Sequence, residues 1–163
     1  MGIANLMFRS LRVEDASALS QWLRAQPPGY ARFFHPFGYD APAIADALAR
    51  QGRDVFMGLF WRERIVGFFM LRGWNEGYEV PAFGILIDEQ YRGHGLEMAA
   101  LDAAKVICRL RNVSRLMIKM HPDNISAKGV ARKTGFVRTG VEAASGNLIY
   151  HYEIKPRAGT STE

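Results

Sequence analysis

The 163-residue chain predicts a single α/β domain, a mixed central sheet of about seven strands with helices on both faces. Three observations predict it. Segments of strand-like and helix-like hydrophobic period follow in the order strand, two helices, three strands, helix, strand, helix, two strands. No linker, internal repeat or low-complexity block breaks that order, and the length suits one core. The nearly unbroken apolar run VPAFGILID, residues 80–88, reads as a strand buried on both faces, and a helix and a further strand follow it. Those two strands would lie parallel, joined by a right-handed crossover.

Each element has its own signal. Phe8 to Val13 reads as the first strand. Glu14 to Gln26 is a helix with Ala16, Leu19, Trp22 and Leu23 at helical spacing, stopped by Pro27, Pro28 and Gly29. An irregular aromatic stretch, residues 29–40, leads to an alanine-rich helix from about Pro42 to Arg50, whose proline lies in the first turn, where a missing N–H does little harm. Residues 54–73 form two strands around a tight turn at Arg62 and Glu63. After the strand at residues 80–88, Leu96 to Arg111 carries Leu96, Ala100, Ala103, Ala104 and Ile107 at helical spacing. Arg115 to His121 alternates like a strand, and NISAKGVARKTGF, residues 124–136, is a short helix with Gly135 as its C-cap. A hairpin of Phe136 to Val141 and Asn147 to Lys155 completes a domain of residues 1–155. The polar tail, residues 156–163, reads as disordered.

Composition narrows the function classes. No apolar run is long enough to span a bilayer, and the first ten residues lack a signal peptide's apolar core, so no membrane is expected. A single cysteine, Cys108, makes no internal disulfide and fits a cytoplasmic protein. Residues 1–90 hold 9 Lys+Arg and 10 Asp+Glu, whereas residues 91–163 hold 12 and 6. The excess positive charge therefore lies in the second half and suits a polyanionic ligand. It is scattered through helices and strands rather than set in a stripe with interleaved aromatics, so nucleic acid is the weaker partner.

The basic half begins at the turn QYRGHGLE, residues 90–97. It leaves a buried strand and enters a helix, which aims unpaired backbone N–H groups and the positive end of the helix dipole at one point. Gly93 and Gly95 let a phosphate approach the backbone, and Arg92 adds a fixed charge. A plain strand-to-helix connection shaped by two glycines is the competing reading. The dinucleotide pattern fails at Met98, where a third glycine belongs, and no Gly-Lys-Ser/Thr occurs.

Gln90-Tyr91-Arg92-Gly93-His94-Gly95 resembles the pyrophosphate motif Gln/Arg-x-x-Gly-x-Gly/Ala of the GNAT superfamily of acyl-CoA N-acyltransferases. Asn124, Ala127, Lys133 and Gly135-Phe136 resemble a second element of that family. The element order matches the family's β1-α1-α2-β2-β3-β4-α3-β5-α4-β6-β7 over about residues 8–155. The resemblance implies acetyl-CoA as co-substrate, with its pyrophosphate on the N–H groups of Arg92 to Leu96. His94, within that turn, is expected to contact the cofactor. The pantetheine arm would pair with the backbone near Ile85 to Ile87, and the N–H of Leu86 or Ile87 would polarise the thioester carbonyl. Asn124 resembles the family residue that contacts the arm. No metal is implied.

Direct attack by an amine calls for a base, and the leaving thiolate benefits from an acid. The chain departs from a common family pattern here: Ala82 stands where a glutamate is frequent, and Ala131 where a tyrosine often protonates the thiolate. Candidate substitutes are His121, at the end of the fifth strand, and Glu79, just before the fourth. Glu97 is anomalous, since a carboxylate beside a bound pyrophosphate repels it unless the side chain turns outward. The acceptor pocket is expected from Tyr30, Phe33, Phe34, His35, Phe37 and Tyr39 and from the last hairpin, although such aromatic density also suits packing. A small amine, an amino sugar or a peptide N-terminus remains open as acceptor, as does a monomer or homodimer. A catalytically silent acetyl-CoA-binding module is the alternative to an enzyme, and a basic nucleic-acid-binding domain is a weaker one.

Overall fold

The computed structural model describes residues 5–156 and runs β1 (Leu6–Ser10), α1 (Ala16–Ala25), α2 (Ala41–Ala49), β2 (Val55–Trp61), β3 (Arg64–Arg72), β4 (Ala82–Ile87), α3 (Leu96–Leu110), β5 (Arg115–Met120), α4 (Ile125–Lys133), β6 (Val137–Val141) and β7 (Leu148–Glu153). The element order is the expected one, with a single helical turn, Pro28–Ala31, added between α1 and α2. Apart from Pro156, the tail read as disordered lies outside the described residues.

The first boundary differs from the sequence reading for a local reason. β1 stops at Ser10 rather than Val13 because Asp15 accepts the Arg12 N–H at 2.7 Å and pairs with the Arg9 guanidinium at 2.8 Å. Residues Val13–Asp15 form a short 3-10 turn, and α1 starts only at Ala16. The β2–β3 turn forms at Arg62 and Glu63 as expected, both at left-handed φ, 48° and 67°. A two-residue hairpin turn of this kind matches the twist of its strands.

The sheet order is β1-β2-β3-β4-β5-β7-β6, and every neighbouring pair is antiparallel except β4 and β5. On one face Leu11, Leu19, Leu23, Ile44 and Leu48, from the β1–α1 connection, α1 and α2, pack against Phe56, Phe68 and Leu86. On the other, Leu96, Ala100, Leu101, Ala104 and Cys108 of α3, with Ala131 of α4, pack against Leu59, Phe69, Phe83 and Ile87. β4 thus buries Leu86 on one face and Phe83 and Ile87 on the other, as its apolar run predicts. Cys108 is fully buried, and burial pushes its thiol up to about 11. No helix among the described residues is long and apolar enough to cross a membrane.

Candidate active site

β4 and β5 are paired only where they begin. Ala82 bridges Met117, the Met117 N–H donates to Pro81 O at 3.0 Å, and beyond that point the strands part. The gap is a groove of about 540 Å³, lined on its sides by β4 from Phe83 to Ile87 and by β5 and its end from Ile118 to His121. Strand alternation decides which β4 backbone groups face it. Asp88 N–H donates to Val66 O, so the register puts Leu86 and Gly84 in hydrogen-bonded pairs with Phe68 and Met70 of β3. The intervening residues Phe83, Ile85 and Ile87 turn their N–H and C=O groups to the groove. Of the two amides expected to polarise the thioester, Ile87's faces the gap; Leu86's is committed to the sheet.

The glycine turn follows β4 at the splayed end of the groove and reaches its wall with Arg92. Gly93 and Gly95 take left-handed φ of 76° and 84°, and a Cβ at either would meet nothing within 4 Å. Gly95 caps α3 without a side-chain hydrogen bond. Arg92 N–H is already bonded to Glu89 O, but the amides from Gly93 to Met98 have no acceptor among the described residues. An open run of orphan amides at the positive end of a fifteen-residue helix fits a diphosphate. His94 turns back instead, its Nδ1 lying 3.1 Å from Tyr91 O and 3.0 Å from Arg92 O. It clasps the turn and does not line the groove.

Glu97 does not turn outward. It lines the groove one helical turn before Leu101, and among the described residues it is the only carboxylate that does. Asn124 also lines it, with Oδ1 capping α4 by accepting the Ala127 N–H at 3.1 Å, which leaves its amide NH2 for a ligand. Glu79 is exposed in the loop before β4, at the end of the strand remote from the glycine turn, and is not part of the groove wall. Ala131 is buried in the core, and its neighbour Val130 faces the groove in its place.

His121 lines the groove with its ring stacked on Phe33, centroids 4.8 Å apart. Its Nδ1 accepts the Asp123 N–H at 3.1 Å. That bond occupies the Nδ1 lone pair and, in the neutral ring, leaves the proton on Nε2.

The aromatic segment divides. Tyr30, Phe33, Phe34 and His35 line the groove, whereas Phe37 packs on Phe56 and Phe68, and Tyr39 bonds through its hydroxyl to Phe34 O. The Tyr30 hydroxyl donates to Ile87 O at 2.5 Å, and the Arg92 guanidinium lies 5.1 Å from its ring centroid. Burial pushes the Tyr30 phenol up to about 12 although Arg92 opposes it, so Tyr30 stays a neutral donor. From the last hairpin only Asn147 reaches the groove wall, and Lys119 is paired to Glu142 at 2.6 Å.

A sheet parted along its one parallel pair, with orphan amides at one mouth of the gap, defines a binder of an elongated anionic ligand. The chain belongs to the GNAT family of acetyltransferases, enzymes that use acetyl-CoA as co-substrate: the acetyltransferase (GNAT) domain matches residues 5–137. No curated protein matches it in sequence. Among solved structures it is similar to the PaiA N-acetyltransferase from Thermoplasma acidophilum in complex with coenzyme A, at 15% identity and TM-score 0.76, over 91% of this chain and 99% of that one. It is also similar to RimL, a ribosomal L7/L12 α-N-protein acetyltransferase in complex with coenzyme A, at 17% identity and TM-score 0.75, over 94% and 96%. A third is the ribosomal-protein-S5-alanine acetyltransferase from Vibrio fischeri, at 14% identity and TM-score 0.70, over 94% and 96%. At these identities the likeness is one of fold.

Proposed function

We propose that this protein transfers the acetyl group of acetyl-CoA to a primary amine. The observation that carries the reading is the run of unpartnered amides from Gly93 to Met98 at the mouth of the β4–β5 gap. When bound, acetyl-CoA supplies the activated thioester. The amides of Gly93 to Leu96, with Arg92, hold its diphosphate. Ile85 pairs with the pantetheine amides as a missing strand would, and Asn124 donates to the arm from the β5 side. Glu97 accepts hydrogen bonds from the N–H and O–H groups of pantetheine, a neutral stretch that offers donors to a carboxylate.

The Ile87 N–H faces the thioester carbonyl and stabilises negative charge as it builds on that oxygen. Tyr30 holds the orientation of this strand end through Ile87 O. The amine nitrogen bonds to the acetyl carbon as the C–S bond breaks, and the thiolate leaves. We assign neither His121, whose Nδ1 lone pair is occupied, nor Glu79, which lies outside the groove wall, the role of base. The amine therefore reacts as its free base, with the proton passing to water in the open groove.

Thermal shift and thiol release test this. Acetyl-CoA at a hundred times its Kd stabilises the fold by about 2.7 kcal/mol. An unchanged melting temperature at millimolar acetyl-CoA would sink the proposal. Thiol release across a panel of amines, amino sugars and peptides should then find turnover, with a pH-rate profile whose shape His121→Ala leaves unchanged. The absence of a carboxylate at Ala82 and of a phenol at Ala131 keeps one other reading, a silent acetyl-CoA binder. Tight binding with no turnover by any amine would favour it.

A further inference from the structure

Among the described residues the groove wall carries more basic than acidic side chains. Arg32, His35, Lys119 and His121 line it, and Glu97, the only carboxylate in the wall among the described residues, lies at the start of α3 beside the glycine turn. These side chains are not equivalent. Lys119 is neutralised by Glu142 at 2.6 Å. His35 uses Nε2 to bond Arg32 O at 2.7 Å, so its ring is turned to its own backbone. Arg32 is different: no carboxylate among the described residues lies within ion-pairing distance of it. Its guanidinium lies 4.3 Å from the centroid of Phe33.

His121 stacks on the same ring, and its Nδ1 is occupied by the Asp123 N–H. The Asp123 carboxylate, 3.7 Å from that Nδ1 and largely exposed, is not part of the groove wall. One aromatic platform thus holds a permanent cation with five N–H donors and an imidazole whose remaining N–H has no acceptor among the described residues. A guanidinium fixed against a ring presents its fork to planar or tetrahedral oxyanions.

We propose that the Arg32–Phe33–His121 platform is a subsite for an anionic group on the acceptor. The substrate class is accordingly a primary amine that also bears a carboxylate or a phosphate, such as an amino acid or an amino-sugar phosphate. This inference rests on the acetyl-transfer reading of the same groove. Polycationic acceptors are disfavoured by the same charges that recruit anions.

Binding of matched amines to the coenzyme A-loaded protein, measured by calorimetry, tests it. The pairs are phenylalanine against phenethylamine and glucosamine 6-phosphate against glucosamine, so that the two arms separate carboxylate from phosphate. At least one anionic member should bind about tenfold or more tightly than its partner, the worth of one charge-assisted contact. In Arg32→Gln that preference should fall to within about threefold, with coenzyme A affinity retained as evidence of a folded groove. Equal binding within both pairs, no binding by any member, or a preference that survives Arg32→Gln overturns the proposal. So does tighter binding of an uncharged, amidated peptide than of either anionic amine. Failure to bind coenzyme A would defeat the acetyl-transfer reading instead, and the matched pairs are then judged by the same criteria on the free protein.

Discussion

Three substitutions at Gly93 separate backbone strain from electrostatics at the glycine turn. Gly93 has φ of 76°, and an added Cβ meets no atom within 4 Å. Alanine, glutamate and lysine there all suffer the same left-handed strain, about 1–2 kcal/mol. For a domain of this size that lowers Tm by about 2–8 °C in each variant. Their charges differ. At about 6 Å, two unit charges interact by about 0.7 kcal/mol in bulk water and about 2.8 kcal/mol at an effective dielectric constant of about 20. A diphosphate carries two such charges, so Gly93→Glu should bind coenzyme A at least about tenfold more weakly than Gly93→Ala, while Gly93→Lys equals or exceeds Gly93→Ala. Calorimetry at low and physiological salt reads the order, and the glutamate–alanine gap should shrink as salt rises. Equal affinities for the glutamate and alanine variants, both folded, would refute the assignment of a diphosphate to this turn.

Two further predictions concern carboxylates. Glu97→Ala should weaken coenzyme A severalfold yet leave adenosine 3′,5′-diphosphate, which has no pantetheine, bound at least as well as before; weaker binding of both ligands in competition assays contradicts the role given to Glu97. The Arg9 guanidinium and the Arg12 N–H hold Asp15 below the usual carboxylate range. A lowered folded-state pKa contributes stability that is complete above the ordinary aspartate value and is lost as pH falls through the folded value. Urea unfolding from pH 6 downward should show Asp15→Asn with a shallower loss of stability below about pH 4 than the parent; parallel curves would discount the pair.

The order of elements and the two-faced burial of β4 were readable because both are written as hydrophobic period, and period is local. The glycine turn was readable for the same reason, since it lies within one connection. What escaped depends on direction. Nothing in VPAFGILID distinguishes Ile87 from Leu86 as the amide facing the groove; the pairing of Asp88 N–H with Val66 O makes that choice. The sequence marks Ala131 as the missing phenol, yet helix phase turns that position into the core and brings Val130 to the wall. His121 was found by its strand-end position, but its protonated nitrogen is set by Asp123 two residues on. Glu97 looked misplaced because its nearness to the expected diphosphate is a matter of sequence position, whereas the inward face it shares with Leu101 is set by the fold.

The segment between the first two helices shows the same limit most clearly. Its aromatic density suggested one pocket wall, but it touches three parts of the site. Tyr30 bonds the Ile87 carbonyl at the end of the cofactor strand and lies under Arg92 of the glycine turn, and Phe33 stacks on His121 at the end of β5. Farther along, Arg72 donates to Pro36 O at 2.8 Å and Phe37 packs on Phe56 and Phe68, which anchor the segment to the sheet. The same strip thus carries Tyr30 at the strand end proposed for the cofactor and Phe33 and Arg32 at the platform proposed for the acceptor. One strip of chain, anchored to the sheet, therefore contributes to both halves of the groove.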